Sequence, residues 1–434
     1  MGLSGSDVVT VMLHALAAVV TVFLVGSVGY IGALYPKHDP FLAPSSLRTL
    51  SRLTNFVLIP PIIISSIASS ISTSQLSRMG ILIFFSFITI GISYLLAFTL
   101  GTLIVGKTLK PRLKYALGIA IGSPNIISFP LMVIQTLCTQ ADLNQDYNHS
   151  SSQCFSEGTS MLFIYSIGWN LIFWSYGYPG LASLHTMTDE ALPVANSWKK
   201  MVNYLYSDDL VPETYSWARK VLLSPNMVAI YIAIFIGLID PLRNQIFGSN
   251  TVLSPIGESL ITLGQPVVCL SSLVMYASLA KVKLFNGHEQ TSDYKIFSEE
   301  STSHDLEEHS NQGDMVTRSS HTHEGGSENG DHFEQPHWRA NVALFICRLI
   351  IPGIIVFPIL EVFVHSGWIN QSERLLQFVI ILEAVAPPAQ TIIVSLNQLG
   401  LLDIAGSMAY LYIFQYVATI LTITAWVTFT LSVI

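Results

Sequence analysis

Ten apolar runs, each long enough to cross a bilayer as a helix, leave this chain few ways to fold. They fall near residues 8–34, 46–71, 80–106, 113–138, 158–178, 221–240, 252–280, 340–364, 375–401 and 404–433. A bilayer core asks for about 20 apolar residues per helix, with allowance for tilt. Only 11% of residues are charged against 51% hydrophobic, whereas about a quarter of a soluble domain is charged. The sequence is that of an all-α polytopic membrane protein. Its net charge of −8 comes from one acidic loop, and no basic patch points to nucleic acid. There is no G-x-S-x-G, HExxH or paired catalytic carboxylate constellation, so an enzyme is not expected, and neither is a cofactor or a metal. The N-terminus lacks a basic region and a small-residue cleavage site, so the first run reads as a retained helix.

Two of the runs are interrupted where a plain helix would not be. Gly122 to Pro130 reads Gly-Ser-Pro-Asn-Ile-Ile-Ser-Phe-Pro inside the fourth run, and Glu383 to Gln390 reads Glu-Ala-Val-Ala-Pro-Pro-Ala-Gln inside the ninth. Pro124 and Pro130 supply no N–H and crowd the carbonyls four residues back, those of Ala120 and Ile126. Pro387 and Pro388 do the same in the ninth run. Free backbone groups are not tolerated facing lipid, so such breaks belong inside the protein or along a cavity. Paired interruptions in corresponding positions of two halves are the sequence pointer to a transporter's binding site.

Charge placement orients the runs. Sixteen of the 20 lysines and arginines fall on one side if the N-terminus is outside; Arg78, Arg243 and Arg374 fall on the other, and Arg348 is intramembrane. That asymmetry puts both termini outside the cytosol. The two Asn-x-Ser acceptors, at Asn148 and Asn370, then lie in non-cytosolic loops and are glycosylation candidates. Cys138 and Cys154 flank one of these loops, in a compartment that permits disulfides, and are the candidate bridge. Five spans per half require opposite insertion. The expected architecture is therefore ten transmembrane helices as two inverted five-helix repeats, with broken, crossing fourth and ninth helices and freed N–H groups near Ile127 and Gln390 facing the centre. The first repeat covers 1–178 and a cytosolic loop 179–220, part of it an interfacial helix. The second repeat covers 221–434, interrupted by an acidic, His-rich segment at 286–337 that reads as disordered. Seven of the 12 histidines sit in that segment, with no cysteine and irregular spacing, so a solvated linker is favoured over a zinc site.

The candidate site follows from the breaks. Asn125 is the leading substrate residue, a carboxylate donor beside a half-helix N-terminus, with helix capping as its other reading. Gln390 carries the symmetric pair of readings, and Pro124, Ser128, Pro130, Pro387 and Pro388 shape the site. Glu383, one turn before Pro387, is a coupling or gating candidate by its depth alone; its other reading is a structural partner for Arg348. Glu258 is a further gating candidate, unless it simply reaches the interface. Helix termini and amides can replace the hydration of a carboxylate without burying a full counter-charge. Transport of a small organic anion is the leading function. A proton- or cation-coupled dicarboxylate carrier is the runner-up, and a membrane receptor or scaffold that binds without turnover is the reading from another class.

With these motifs in view, the chain resembles the auxin efflux carrier superfamily, and within it the PIN-LIKES proteins and their fungal relatives. The resemblance rests on Gly122 to Pro130 with Leu131 and the Leu137-Cys138 ending, and on Ser224-Pro225-Asn226 followed by Ile236 to Leu242. It also rests on Glu258-Ser259-Leu260 with Leu263-Gly264 and Pro266, on Arg348 with Pro352, and on Pro387-Pro388-Ala389. It covers nearly all the membrane portion but not the two long loops. It implies a homodimeric carrier with a scaffold part and a transport part containing the crossover, moving indole-3-acetate or a similar anion. It also implies the endoplasmic reticulum membrane, with the plasma membrane as the alternative.

Overall fold

A computed structural model of the chain describes residues 5–36, 40–71, 76–139, 150–185, 187, 223–248, 250–280 and 338–433. Within them the protein is helical, and the only strand-like feature is a single bridge. The helices are α1 (Gly5–Leu34), α2 (Pro44–Ser70), α3 (Arg78–Val105), α4 (Pro111–Gly122), α5 (Ser128–Thr139) and α6 (Ser151–Ile172). They continue with α7 (Pro225–Leu238), α8 (Asp240–Phe247), α9 (Ser254–Ala280), α10 (Trp338–His365), α11 (Arg374–Ala384), α12 (Thr391–Gln398) and α13 (Leu402–Val433).

Five of these, α2, α3, α9, α10 and α13, are long and apolar enough by themselves to cross a bilayer. A sixth span results if α7 and α8 are counted together, although they meet at 106°. The turn has a local cause. Asp240-Pro241 follows Ile239, Pro241 takes an early helical position where its missing N–H costs nothing, and α8 starts anew. The sixth apolar run, expected as one helix over 221–240, therefore ends at Leu238.

Three long helices contain a π-helical stretch whose end lies two residues before a proline: Thr54–Leu58 before Pro60, Phe173–Gly177 before Pro179, and Phe345–Ile350 before Pro352. Proline has no N–H for the carbonyl four residues back and its ring crowds it. Widening the preceding turn relieves the crowding without ending the helix. At Pro179 this corrects the sequence reading, which began a loop there. The helix of α6 runs on through Tyr178–Ala182 and a 3₁₀ turn at Ser183–His185. The proposed interfacial helix of the following loop and the segment 286–337 lie outside the described residues, as does Asn148.

Lipid tails are as apolar as leucine, so membrane helices associate by close packing and buried polar bonds rather than by the hydrophobic effect. α1 lies along the C-terminal half of α9 and touches α13, while α2 packs on α7 and α9. Gly29 lets α1 approach α9: a Cβ there would sit 2.3 Å from the Leu273 carbonyl oxygen. In a second grouping, α3 packs on α4 and α6, α5 packs on α6, and α11 packs against α3, α6, α10 and α13. The ninth apolar run is the innermost part: every residue of α11 from Leu375 to Ala384 is buried, as is α12 from Ile392 to Gln398. Large exposed side chains such as Leu95, Leu103, Val362 and Leu421 belong to the peripheral helices, as lipid-facing surfaces require.

Candidate functional site

The two interrupted runs meet at their interruptions. α4 stops at Gly122 and α5 starts at Ser128; α11 stops at Ala384 and α12 starts at Thr391. Between these ends the two chains run antiparallel for one residue pair, Pro124 opposite Pro388. The Asn125 amide donates to the Pro387 carbonyl at 2.6 Å, and the Ala389 amide donates to the Ser123 carbonyl at 2.9 Å. In an antiparallel ladder alternate pairs use none of their own N–H groups for the partner strand. The two prolines occupy such a pair, so their missing donors cost the bridge nothing. Their neighbours supply two bonds related by an approximate two-fold axis. Two of the amides expected to face the centre are thus taken by the bridge itself.

Pro130 has a different place from the one its sequence suggests. It is the third residue of α5, in the first turn, where an N–H has no helical acceptor and proline is tolerated. It does not break the helix; the break is made by Ser123 to Ile127. Ser128 opens α5.

Around the bridge lie polar side chains from three other helices, α13, α9 and α3. Asn125, 7% exposed, donates through Nδ2 to the Tyr416 hydroxyl of α13 at 2.9 Å, and that hydroxyl donates to the Pro388 carbonyl at 3.4 Å. Gln390, 5% exposed, accepts through Oε1 from the Ser272 hydroxyl of α9 at 3.2 Å. Tyr94 of α3 shares a 3.0 Å hydrogen bond with the Ser123 hydroxyl. Its ring lies where a Cβ on Gly122 would come within 2.4 Å, so a side chain at residue 122 would push the aromatic away from the break.

Arg348, in the π-helical stretch of α10, is fully buried. Its guanidinium donates to the carbonyls of Ala386 (2.6 Å) and Glu383 (2.8 Å) and to the Ser93 hydroxyl of α3 (2.9 Å). Its fork therefore satisfies acceptors that the Pro387-Pro388 break sets free. The sequence reading of Glu383 as its structural partner changes in one respect: contact is with the Glu383 backbone. Both Glu383 carboxylate oxygens are buried with no hydrogen-bond partner among the described residues. The N-terminal ends of α5 and α12 carry the positive end of their helix dipoles beside the same place.

A family described as Membrane transport protein matches residues 14–427. The chain belongs to this family. It is a multi-pass membrane transport protein of the auxin efflux carrier type, not an enzyme. It is similar to Protein PIN-LIKES 3 of Arabidopsis thaliana, with 22% identity over 295 residues that cover 63% of this chain and 73% of that protein. It is also similar to Protein PIN-LIKES 4 of the same plant, with 23% identity over 302 residues covering 61% and 71%.

In this transport protein a second set of buried amides fastens α12 beyond the bridge. Asn55, in the π-helical stretch of α2, donates to the Gln398 side chain and, at 3.4 Å, to Ser395. Gln398 donates to the Tyr178 hydroxyl at 2.9 Å, and Asn397 donates to Ser278 of α9 at 2.7 Å. Other sequence candidates lie elsewhere. The Glu258 side chain is exposed on α9, and Asn370 is exposed in the turn before α11. Cys138 and Cys154 form a disulfide joining the end of α5 to the start of α6. Tyr416, Ser272, Tyr94 and Ser93 were not singled out by sequence. Their one trace there is a hydroxyl inside an apolar run, a signal too common to select them.

Proposed function

We propose that this membrane transport protein is a secondary carrier for small organic anions, indole-3-acetate among them, working by alternating access at the crossover. In this reading it has ten spans in two inverted five-helix repeats, α4–α5 and α11–α12 being the broken fourth and ninth. The carrier is a homodimer in the endoplasmic reticulum membrane, with both termini non-cytosolic.

The observation that carries the reading is the bridge between Pro124 and Pro388, flanked by the buried amides of Asn125 and Gln390. Irregular backbone at membrane depth is tolerated where it lines a site, and here each break is held by the other rather than by a rigid helix. Two helix N-termini, two side-chain amides and one buried guanidinium bring donors and positive potential to the bridge. Such a site suits a monovalent carboxylate, whose lost hydration the amides replace. A dicarboxylate would ask for a second cation, and among the described residues Arg348 is the only one at the crossover.

Counterflow of labelled indole-3-acetate into proteoliposomes preloaded with unlabelled anion is the test. The carrier reading predicts transient accumulation of label. Binding without exchange would make the protein a receptor and contradict the proposal.

A further inference from the structure

We infer that Glu383 is a proton-binding site coupled to the anion site: the protein takes up one proton on Glu383 for each organic anion bound at the crossover. This rests on the anion-carrier reading above and adds a coupling ion to it.

The observation is the state of two neighbouring ionisable groups. Glu383 and Arg348 are both fully buried, and their charges interact. The guanidinium nonetheless spends its donors on the Glu383 and Ala386 carbonyls and on Ser93. The carboxylate receives no hydrogen bond from any described residue. A buried carboxylate without donors is costly to hold ionised, and here the one charge that offsets it is Arg348; an anion that draws on the same charge tips the balance to the protonated carboxyl. Arg348 has the opposite situation, with three acceptors placed to hold it as a cation.

The groups facing Glu383 from the helices packed on α11 do not supply another counter-charge. α6 contributes Tyr165, which interacts electrostatically with Glu383, and α10 contributes Arg348. α3 carries the buried hydroxyls of Thr89 and Ser93, the latter bonded to Arg348, α13 carries the buried phenols of Tyr412 and Tyr416, and α5 has no titratable side chain beyond the disulfide-bonded Cys138. The balance at the crossover thus reduces to Arg348 and Glu383. With Glu383 ionised the pair is neutral. With Glu383 protonated a net positive charge remains beside the Pro124–Pro388 bridge, and an anion there is favoured. The proton comes from the aqueous phase on the side the anion enters and leaves with the anion on the other. For a monovalent anion the cycle moves no net charge, and linkage requires that the anion in turn favour protonation of Glu383 by the same factor.

The test uses the purified full chain and indole-3-acetate. Isothermal titration in two buffers of different ionisation enthalpy reads the protons taken up per anion. The expected result is proton uptake on anion binding and an affinity that falls as pH rises, by at most about tenfold per pH unit. Glu383→Gln should bind the anion without proton uptake and without that pH dependence, while Glu383→Asp should retain both. Anion binding by the wild type with no proton uptake overturns the inference and leaves the carrier reading standing. If no anion binds, the carrier reading fails, and a second measurement decides the proton site alone. A carboxylic-acid carbonyl band in the infrared difference between wild type and Glu383→Gln, growing as pH falls, supports it, and its absence at every pH at which the protein stays folded overturns it.

Discussion

Arg348 donates from Nη2 to the backbone carbonyl of Glu383 at 2.8 Å, and Glu383 is the residue whose helical partner Pro387 removes. One side chain thus replaces an amide that the sequence of the ninth run cannot provide. A second bond, to the Ala386 carbonyl, fixes the chain just before the two prolines. The break is consequently a defined structure rather than a frayed helix end.

Lysine in place of Arg348 keeps the charge but cannot reach two carbonyls and Ser93 at once. Hydrogen bonds to charged groups contribute about 1.5–3 kcal/mol each, so Arg348→Lys is expected to cost about 2–4 kcal/mol. Thermal unfolding in detergent measures this as a lowered Tm. An unchanged Tm would show that the guanidinium does not hold the break.

The Tyr416 hydroxyl accepts from Asn125 and donates to Pro388, joining both sides of the bridge to α13. Tyr416→Phe leaves a buried amide short of an acceptor and is expected to destabilise by about 1–3 kcal/mol. Combined with Asn125→Ala the losses should be less than additive, with a coupling of about 0.5–3 kcal/mol in a double-mutant cycle. Strict additivity would mean that the two groups do not communicate.

Cys138 and Cys154 are 16 residues apart in sequence, and closing a loop of that size in the unfolded chain contributes about 3 kcal/mol in the chain-entropy description. The double variant Cys138→Ser with Cys154→Ser should lower Tm, and reduction of the wild type should lower it equally. The crossover lies at the other end of α5, so anion exchange below the new Tm should persist.

Much of this was legible in the sequence because proline acts locally. Pro124, Pro387 and Pro388 announce their interruptions through a missing donor and a ring clash, whatever the surrounding fold. Arg348 and Glu383 stand out because charge at membrane depth is costly anywhere. What the sequence concealed depends on neighbours distant along the chain. Asn125 and Tyr416 are 291 residues apart, and nothing near either one names the other. The geometry of the Arg348 and Glu383 contact was hidden for the same reason: charge sign suggests a side-chain pair, whereas the break offers the guanidinium better-placed carbonyls. Pro130 was misread because its effect depends on where the next helix starts, and the start at Ser128 places it in a permissive first turn. The π-helical stretches were equally unannounced, since a proline two residues beyond them is as compatible with a kink.

If the anion binds at the crossover beside Asn125, as proposed, the substitution Asn125→Asp should abolish its exchange. Aspartate keeps the backbone bond to Pro387 and can accept from the Tyr416 hydroxyl, which then gives up its bond to the Pro388 carbonyl, so the protein should fold with a lowered Tm. It places a negative charge where the anion's carboxylate would lie and removes a donor to that carboxylate, an interaction of about 1.5–3 kcal/mol. In proteoliposome counterflow, folded Asn125→Asp should show no accumulation of labelled indole-3-acetate under conditions where the wild type does. Wild-type counterflow by the folded variant would contradict it.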